Sequence, residues 1–213
     1  MRPEISAQQP ASPVVSILFR LFAAMHCGAI LLDGTKRILQ LNERAQTHLG
    51  AALAISKNRL SARDRGCDAL FQTMLDQSLG ARKRDWRREA VVLKREDKCP
   101  VIARAISVGA EAHNLLDGVA VVLLLVDPED CHAPSYTLLQ ELFGLTRGEV
   151  HLANQLLCGQ SLQEIADANG LSIATVRSQT KSVFAKTYTH RQAELVGLLT
   201  RLAILSESGT DEA

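Results

Sequence analysis

The sequence predicts an α+β protein with two domains, a five-stranded antiparallel sheet with helices followed by an all-helical domain. The chain has 213 residues, which suits two modest domains, since single domains usually run about 100 to 200 residues. Strand-like runs are confined to residues 29–126. From residue 136 onward, apolar residues recur only at helical spacing. These observations indicate a change of architecture between the two halves.

Composition and charge exclude several classes of protein. Apolar residues make up 46% of the chain and charged residues 22%, as in globular proteins that bury a core. The net charge of +1 is no evidence for nucleic acid, so such a partner must be inferred from local residues. The longest apolar run, Val119–Val126, is shorter than the about 20 residues of a membrane span. Arg20 interrupts the only segment resembling a signal peptide. We therefore expect a cytoplasmic protein without a membrane partner.

Neither the cysteines nor other reactive residues form a recognisable site. Five cysteines stand at positions 27, 67, 99, 131 and 158. Their odd number and the lack of a C-x-x-C pair predict neither a disulfide framework nor a zinc site, and a reduced cytosol fits best. The sequence contains no phosphate-binding glycine loop and no Ser-His-Asp pattern. We expect a protein that is not an enzyme, with no metal and no predicted cofactor.

Composition divides the chain into five parts: a disordered tail over 1–13, a domain over 14–128, a linker over 129–139, a domain over 140–205 and a tail over 206–213. The basic run 82–88 contains five cations. Its role stays open between a solvated loop, which we favour, and an additional phosphate-binding patch.

The first domain is predicted to begin with an amphipathic helix. Its apolar residues recur three and four positions apart, which indicates one apolar stripe. The stripe contains Val14, Ile17, Leu18, Leu21, Phe22 and Met25. It either covers the sheet or pairs with a second copy of the chain. We favour pairing, because few other faces of the chain are apolar.

Five strand-like runs follow this helix. They lie at residues 29–32, 37–41, 89–94, 101–108 and 118–126. Asp33–Gly34 predicts a tight turn between the first two. Asn42 can cap a short helix, and a second helix is predicted over Cys67–Leu79, stopped by Gly80. This order of elements predicts an antiparallel sheet that helices cover on one face.

The second domain contains a helix-turn-helix pattern. Ser161 and Glu164 form a capping-box pattern that begins a helix. Gly170 ends this helix, and Ser172 can cap the next one two residues later. Two helices joined by so short a turn form a helix-turn-helix, whose second helix, 172–186, can lie in the major groove of DNA.

At about 100° per residue, this second helix separates into two faces. Its core face carries Ile173, Val176, Val183 and Phe184, and its other face carries Ala174, Arg177, Ser178 and Lys181. Small side chains allow close approach to DNA, and arginine can make a bidentate contact with guanine. The alternative is a solvated face with two ordinary basic residues.

Many positions between residues 145 and 202 follow one family pattern: Leu145, Thr146, Glu149, Gly159, Glu164–Ala166, Ser172, Thr175–Arg177, Lys186, Arg191, Glu194 and Leu195. In these positions the chain resembles the four-helix DNA-binding domain of LuxR-type transcriptional regulators. The resemblance implies double-stranded DNA as a partner, RNA polymerase as a further partner, and base reading by Arg177, Ser178 and Lys181. The full predicted DNA-binding set is Ser161, Ser172, Thr175, Arg177, Ser178, Lys181, Lys186 and Arg191.

The same resemblance implies a homodimer in which the fourth helix, 192–202, makes the contact. The domain core needs several apolar residues of that helix, so we expect the first domain to supply much of the dimer affinity. Two positions depart from the family pattern. Thr180 brings a hydroxyl to a core position, so we expect Thr180→Leu to raise the melting temperature. Tyr188 stands where the family commonly has glycine.

The first domain contains Gly28–Gly34, Asn42, Ala45 and a final apolar strand that ends at Val126–Pro128. In these positions it resembles a PAS-type sensor domain, which implies a five-stranded sheet with a space for a ligand between sheet and helices. The aromatic content of 4% disfavours an autoinducer-binding pocket, and the order of elements disfavours a receiver domain. Whether a ligand binds stays open.

Together these patterns predict a DNA-binding transcriptional regulator that reads an inverted-repeat operator. Its first domain would sense a signal or dimerise. The alternative is a protein-interaction module that keeps the helix-turn-helix fold without sequence-specific DNA binding. Arg177 and Lys181 favour the regulator, because a module that does not bind DNA has no need of cations on that face.

Overall fold

The structure is a computed structural model that describes residues 13–80, 90–109, 116 and 118–206. The chain divides into two units, Met1–Asp130 and Cys131–Ala213. Most of the predicted tails and the basic run 82–88 lie outside the described residues. Pro13, predicted to end the first tail, already begins a helix. No helix in the described ranges has both the length and the apolar character needed to cross a membrane.

The first unit combines strands and helices. Its strands are β1 (Gly28–Leu32), β2 (Ile38–Leu41), β3 (Leu53–Ser56), β4 (Arg59–Ala62), β5 (Ala90–Arg95), β6 (Lys98–Ser107) and β7 (Val121–Val126). Its helices are α1 (Pro13–Ala24), α2 (Glu43–Thr47) and α3 (Arg65–Leu79). Five strands form an antiparallel sheet in the order β2-β1-β7-β6-β5. This confirms the predicted five-stranded antiparallel sheet.

Helices cover both faces of this sheet, whereas the sequence predicted one covered face. Successive residues of a strand point to opposite faces. Ile30 therefore joins the core that includes Phe71 of α3, and Leu31 joins a separate cluster with Val15 of α1. All five residues of β1 are consequently buried. The prediction was wrong because it assigned α1 a single apolar stripe, although the helix carries apolar residues on two sides.

The hairpin formed by β3 and β4 was not predicted. Each of its strands has only four residues, too few for a clear alternation of apolar and polar residues. Lys57 and Asn58 form the turn with φ angles of 50° and 61°. Two successive residues with positive φ are typical of two-residue hairpin turns, in which asparagine is common. Asn58 was therefore the residue from which the sequence could have predicted this turn.

Asn42 joins α2 to the sheet and confirms the predicted cap. Its Oδ1 accepts hydrogen bonds of 2.9 Å from the backbone N–H groups of Ala45 and Ala29. Its Nδ2 donates to the Cys27 carbonyl at 3.0 Å. A Cβ at Gly28 would lie 3.1 Å from the Ala45 Cα, so α2 and β1 pack closely here. This packing accounts for three positions of the predicted sensor-domain pattern, Gly28, Asn42 and Ala45.

The second unit contains five helices in its described part: α4 (Tyr136–Phe143), α5 (Arg147–Leu157), α6 (Leu162–Asn169), α7 (Ile173–Thr187) and α8 (Gln192–Ala203). The sequence predicted four helices, and α4 begins within the segment assigned to the linker. Gly144, with a φ of 64°, ends α4, and Thr146 starts α5 through a capping box. This break gives α4 its own place in the core, where Leu139 is fully buried.

The helix-turn-helix lies where the sequence predicted it. Ser161 and Glu164 form a complete capping box at the start of α6. Gly170 ends this helix with a φ of 63°, and the Ser172 Oγ accepts a 3.0 Å hydrogen bond from the Thr175 N–H at the start of α7. Each predicted boundary therefore coincides with a cap in the structure.

Cys131 and Cys158 form a disulfide, which corrects the expectation of unpaired cysteines. They lie 27 residues apart in sequence, and their Cα atoms are 5.7 Å apart. Cys27, Cys67 and Cys99 are free. Spacing could not predict the pair, because the folding of the second unit brings the end of α5 beside the residues that precede α4.

Candidate nucleic-acid interface

Helix α7 has one buried face and one exposed face. Val176, Thr180, Val183 and Thr187 are buried, and Ile173 and Phe184 pack against the same core. The exposed face includes Ala174, Thr175, Arg177, Ser178 and Lys181. This is the division predicted from the angular positions of the residues, with Thr180 and Thr187 as additional core-facing side chains.

Arg177 and Lys181 keep their charged groups available. In the ranges that the structure describes, neither side chain forms an ion pair or hydrogen bond with the protein. Like charges four residues apart on a helix repel each other by about 0.2–0.5 kcal/mol. An anionic partner would remove this repulsion. Their guanidinium and ammonium donors can therefore both serve an external acceptor.

The N-terminal turn of α7 adds polar groups beside this pair. The hydroxyls of Ser172 and Thr175 lie 2.8 Å apart, and both residues are exposed. The first turn contains no acidic residue, so no carboxylate opposes the partial positive charge at the helix start. This end of α7 suits a phosphate group.

Ser161 has a structural role at the start of α6. Its backbone N–H donates to Glu164 Oε2 at 2.7 Å, and its Oγ accepts from the Glu164 N–H at 3.2 Å. Hydrogen bonds to the Glu164 carboxyl from the Ser161 backbone N–H, the larger cause, and from the Ser161 side chain hold the pKa of that carboxyl below its ordinary value. Ser161 is also exposed at the start of α6.

Lys186, predicted as a DNA contact, forms an internal ion pair. Its ammonium donates to Glu149 Oε2 at 2.7 Å and to the Gly144 carbonyl at 3.1 Å. The side chain is 35% exposed, and that of Glu149 is 10% exposed. Lys186 therefore joins the C-terminal part of α7 to the start of α5. The sequence pattern could not separate this internal ion pair from a DNA contact, because both use a lysine near the end of the helix.

Glu149 is the centre of this internal network. Its Oε2 accepts a 2.8 Å hydrogen bond from the Thr146 N–H, and its Oε1 accepts a 2.6 Å bond from the Ser182 hydroxyl. Burial raises the pKa of the carboxyl, but the bonds from Lys186, Ser182 and Thr146 outweigh burial and lower the pKa to about 2. The ionised carboxylate thereby fixes the position of α7 relative to α5.

Arg191 precedes α8 and is exposed, without a side-chain cap to that helix. The C-terminal part of α7 and the residues that follow it line a cleft of about 420 Å³, formed by Lys181, Phe184, Ala185, Tyr188, Thr189 and His190. Tyr188 ends α7 with a φ of 55° and is 87% exposed. It adopts the left-handed conformation for which glycine is usual. The predicted set omitted this aromatic ring beside Lys181, although the departure from glycine marked the position.

The first unit presents an apolar surface of a different kind. The outer side of α1 exposes Val14, Ile17, Leu21 and Met25, at 44%, 58%, 55% and 50%. Its inner side contacts the sheet through Val15, Phe19 and Phe22. On the sheet, Val92, Ile102 and Val126 are paired neighbours across β5, β6 and β7, and all three are exposed. This row lies on the same face of the sheet as Val122, which packs in the cluster that contains Val15 of α1.

A polar cleft of about 450 Å³ lies at the end of β7. Charged side chains of Arg44, Lys98, Asp127, Glu129 and Asp130 line it, together with His26 and His48. Asp127, in the predicted sensor-domain pattern, bonds Arg95 through both carboxylate oxygens at 2.6 and 2.8 Å. Burial raises the pKa of Asp127, but these bonds outweigh burial, so the pKa is lowered. The Asp127 carboxylate, directly after β7, therefore binds the last residue of β5.

No family model matches the chain, and no curated protein matches its sequence. Solved structures with weak similarity include a phage VqmA–DPO complex, 15% identical, covering 92% of this chain and 90% of that chain with a TM-score of 0.35. The VqmA dimer of Vibrio cholerae, described with LuxR-type receptors, is 14% identical over 92% and 90% with a TM-score of 0.32. A Vibrio cholerae VqmA–ligand–DNA complex is 14% identical over 83% and 82%, with a TM-score of 0.29. Scores in this range do not establish a shared fold.

Proposed function

We propose that this protein is a DNA-binding transcriptional regulator that reads DNA with the exposed face of α7. The observation that carries the proposal is the pair Arg177 and Lys181. Both cations lack a partner within the described part of the chain, and small side chains surround them. A helix with this face fits the major groove, where close approach and cationic donors are both needed.

In this proposal Arg177 reads sequence. Its planar guanidinium can donate two parallel hydrogen bonds to O6 and N7 of a guanine, a contact worth about 1–3 kcal/mol of discrimination against another base. Ala174 and Ser178 flank it on the exposed face. Because both side chains are small, the helix backbone can approach the base edges. Lys181, one turn further along, donates to a base or a phosphate.

Phosphate contacts would orient α7 in the groove. Ser172 and Thr175 present hydroxyls at the positive end of α7, and Ser161 and Arg191 supply exposed donors on either side of that helix. These groups add affinity without sequence preference. Lys186 is left out of this set because Glu149 binds its ammonium, and it acts by positioning α7.

We propose that the first unit dimerises the chain. The exposed stripe of α1 and the exposed row of β5, β6 and β7 lie on one side of the sheet. Exposed apolar surface of this extent is unusual on a monomer. A second copy could pack its α1 stripe against the exposed sheet row of the first copy. In a two-fold symmetric dimer the first copy makes the same contact with the second, so the stripe and the row of both copies are buried. A symmetric dimer with two copies of α7 then prefers an inverted repeat in DNA.

The polar cleft at the end of β7 is the candidate for signal sensing in this unit. Its charged lining suits a small polar molecule better than an apolar one.

No described contact bears on RNA polymerase, which stays outside this proposal. A protein-interaction module with the same helices would have no need of the exposed cations Arg177 and Lys181, and the experiment below separates it from the regulator.

The test is selection of bound sequences from a random pool of double-stranded DNA with the full chain. We expect an enriched inverted repeat. Arg177→Ala should weaken binding to that repeat by about 1–3 kcal/mol and relax preference at one base pair in each half-site. The matched control is Arg201→Ala, which removes one exposed cation from α8 and should leave the preferred sequence unchanged. Absence of enrichment, or an Arg177→Ala variant that binds like the wild type, would reject DNA reading by α7.

A further inference from the structure

Tyr188 ends α7 in a backbone conformation that its side chain does not favour. Its φ of 55° and ψ of 34° are left-handed, and a residue with a Cβ is strained there, so helices usually end with glycine at this point. The phenol ring does not offset this strain by packing in the core, because Tyr188 is 87% exposed. The fold of the second unit therefore gives no reason for an aromatic side chain at this position.

The backbone around Tyr188 is fixed by neighbouring residues. The N–H groups of Tyr188 and Thr189 both donate to the Phe184 carbonyl. The buried hydroxyls of Thr187 and Thr189 lie 2.9 Å apart, and the Thr187 hydroxyl also donates to the Val183 carbonyl at 2.8 Å. Strained residues persist only where surrounding contacts determine their conformation, and they cluster at sites that hold a ligand. The turn thus holds the exposed ring of Tyr188 in a defined place.

This ring lies on the same side of α7 as the proposed base-reading residues. At about 100° per residue, Arg177, Lys181 and Tyr188 fall within about 40° of one another around the helix axis. Lys181, Tyr188 and His190 line one cleft, and no acidic residue is among the described residues that line it. Neither the Tyr188 hydroxyl nor the His190 ring has a hydrogen-bond partner in the described ranges. The cleft therefore offers three polar donors to an external acceptor.

The length of α7 relates this cleft to the DNA backbone. Tyr188 follows Arg177 by 11 residues, which is about 16 Å along a helix that rises about 1.5 Å per residue. The major groove is about 12 Å wide and winds around the duplex. A straight helix that meets base edges at Arg177 therefore reaches the sugars and phosphates at the edge of the groove by Tyr188.

We propose that Tyr188 is a DNA-backbone contact and that the cleft beside it holds one sugar–phosphate unit of one strand. The Tyr188 hydroxyl and the His190 ring donate to phosphate oxygens, as tyrosine commonly does in protein–DNA complexes. Phe184 and Ala185 present apolar surface to the deoxyribose. The contact rests on the proposed function, because it requires α7 in the major groove. It fixes the C-terminal end of α7 on DNA.

The first measurement needs no DNA. Tyr188→Gly places glycine in the left-handed conformation and removes a ring that the core does not use. In the full chain we expect a melting temperature that is unchanged or higher, and an unchanged dimer dissociation constant. A lower melting temperature would give the ring a structural role, and a weaker dimer would show that it contacts a second copy of the chain. Either result would overturn the proposal.

The second measurement compares binding of the full-length variants to the selected repeat and to a duplex of random sequence. Tyr188→Gly should weaken binding to both about 10-fold and Tyr188→Phe about threefold, with the preferred sequence unchanged, because backbone contacts carry no sequence information. The slope of log affinity against log salt should not change, because tyrosine is uncharged. The control is Tyr136→Phe, which removes the hydroxyl of the other tyrosine and should bind DNA like the wild type.

Neutral phosphates locate the contact. Each phosphate of one half-site is replaced in turn by a methylphosphonate, which lacks one acceptor oxygen. One replacement, to one side of the base pair that Arg177 reads, should weaken binding of the wild type more than binding of Tyr188→Phe. Equal losses at every phosphate, or a Tyr188→Gly variant that binds like the wild type, would overturn the contact and leave base reading by Arg177 intact. Failure of the wild type to bind any DNA would reject the proposed function and the contact together.

Discussion

Helices α1 and α7 each leave one face exposed, and the two faces differ in chemistry. The outer side of α1 carries four large apolar residues, whereas the outer side of α7 carries two cations among small side chains. Both helices bury their other side, α1 against the sheet and α7 in the helical core. The residues that a helix does not need for its own core therefore indicate which partner its free face can bind.

The two faces also respond differently to conditions. Electrostatic screening by salt does not weaken apolar burial, because burial depends on the area removed from water and not on charge. Binding of cations to phosphates weakens steeply as salt rises, because counterions released from DNA must compete with the protein. If α1 forms the dimer and α7 reads DNA, raising the salt concentration should weaken DNA binding while the dimer persists.

The largest expected effect is on the apolar face. The double substitution of Ile17→Asp and Leu21→Asp would place two carboxylates in the proposed dimer interface. Burying unpaired charge is costly, so we expect the dimer dissociation constant to rise by at least about 100-fold, or 2.8 kcal/mol. Sedimentation velocity over a range of concentrations would measure the change.

The matched control is Ser16→Asp, on the same helix but away from the exposed stripe. It adds a carboxylate without entering the proposed interface, so dimerisation should be unchanged. A double variant that still dimerises like the wild type would show that another surface joins the two copies. Isolated residues 131–213 should be mostly monomeric at micromolar concentration, and a dimer of this fragment would place the contact in the second unit.

The next effect concerns the network that fixes α7. Glu149→Gln removes the charge that holds Lys186 and should lower the unfolding free energy of the second unit by about 1–3 kcal/mol, since Lys186 is partly solvated. Urea denaturation of residues 131–213 at pH 7 would measure it. Glu141→Gln, on the exposed side of α4, is the control and should have little effect.

The Glu149 contribution should also depend on pH. The folded pKa of about 2 lies below the ordinary value of 4.5. Stabilisation is therefore complete above the ordinary value, falls as pH decreases through the interval between the two values, and is lost below the folded pKa. The wild type should lose stability relative to Glu149→Gln over this acidic interval. A difference between the two that stays constant with pH would contradict an ionised Glu149.

A smaller effect is expected on the cationic face. Lys181→Ala should weaken DNA binding by about 1 kcal/mol and reduce the slope of log affinity against log salt by about one. Fold stability should be unchanged, because Lys181 is exposed and forms no ion pair within the described residues. Fluorescence anisotropy titrations at several salt concentrations would test this. An unchanged slope would mean that Lys181 does not contact phosphate.

The smallest effect concerns Thr180, whose hydroxyl donates to the Val176 carbonyl at 2.8 Å. This partner removes the reason for expecting Thr180→Leu to stabilise, and the larger leucine would overpack a position that is 7% exposed. Thr180→Val keeps the shape and adds apolar area, so it should raise stability by less than about 1 kcal/mol. A fall in melting temperature with valine would show that the hydroxyl bond matters more than the added apolar area.

Local sequence signals predicted elements that depend on neighbouring residues. Ser161, Gly170 and Ser172 mark the helix-turn-helix because caps act within one turn of a helix. The exposure of Arg177 and Lys181 followed from helical periodicity alone. The same reasoning missed the β3–β4 hairpin, because four-residue strands carry too little pattern. It also did not predict the ion pair of Lys186 with Glu149, because periodicity does not show which acid a lysine meets on another helix.

The sequence by itself determined the five strands of the main sheet, the caps that bound the helix-turn-helix, and which side of α7 stays in solvent, since these depend on interactions a few residues apart. Only the tertiary structure decided which distant groups meet. It brought Cys131 to Cys158, Lys186 to Glu149, and Arg95 to Asp127, and it divided the apolar residues of α1 between the sheet and solvent. Such contacts depend on how the packing of whole elements closes long stretches of chain, which no local pattern of residues encodes.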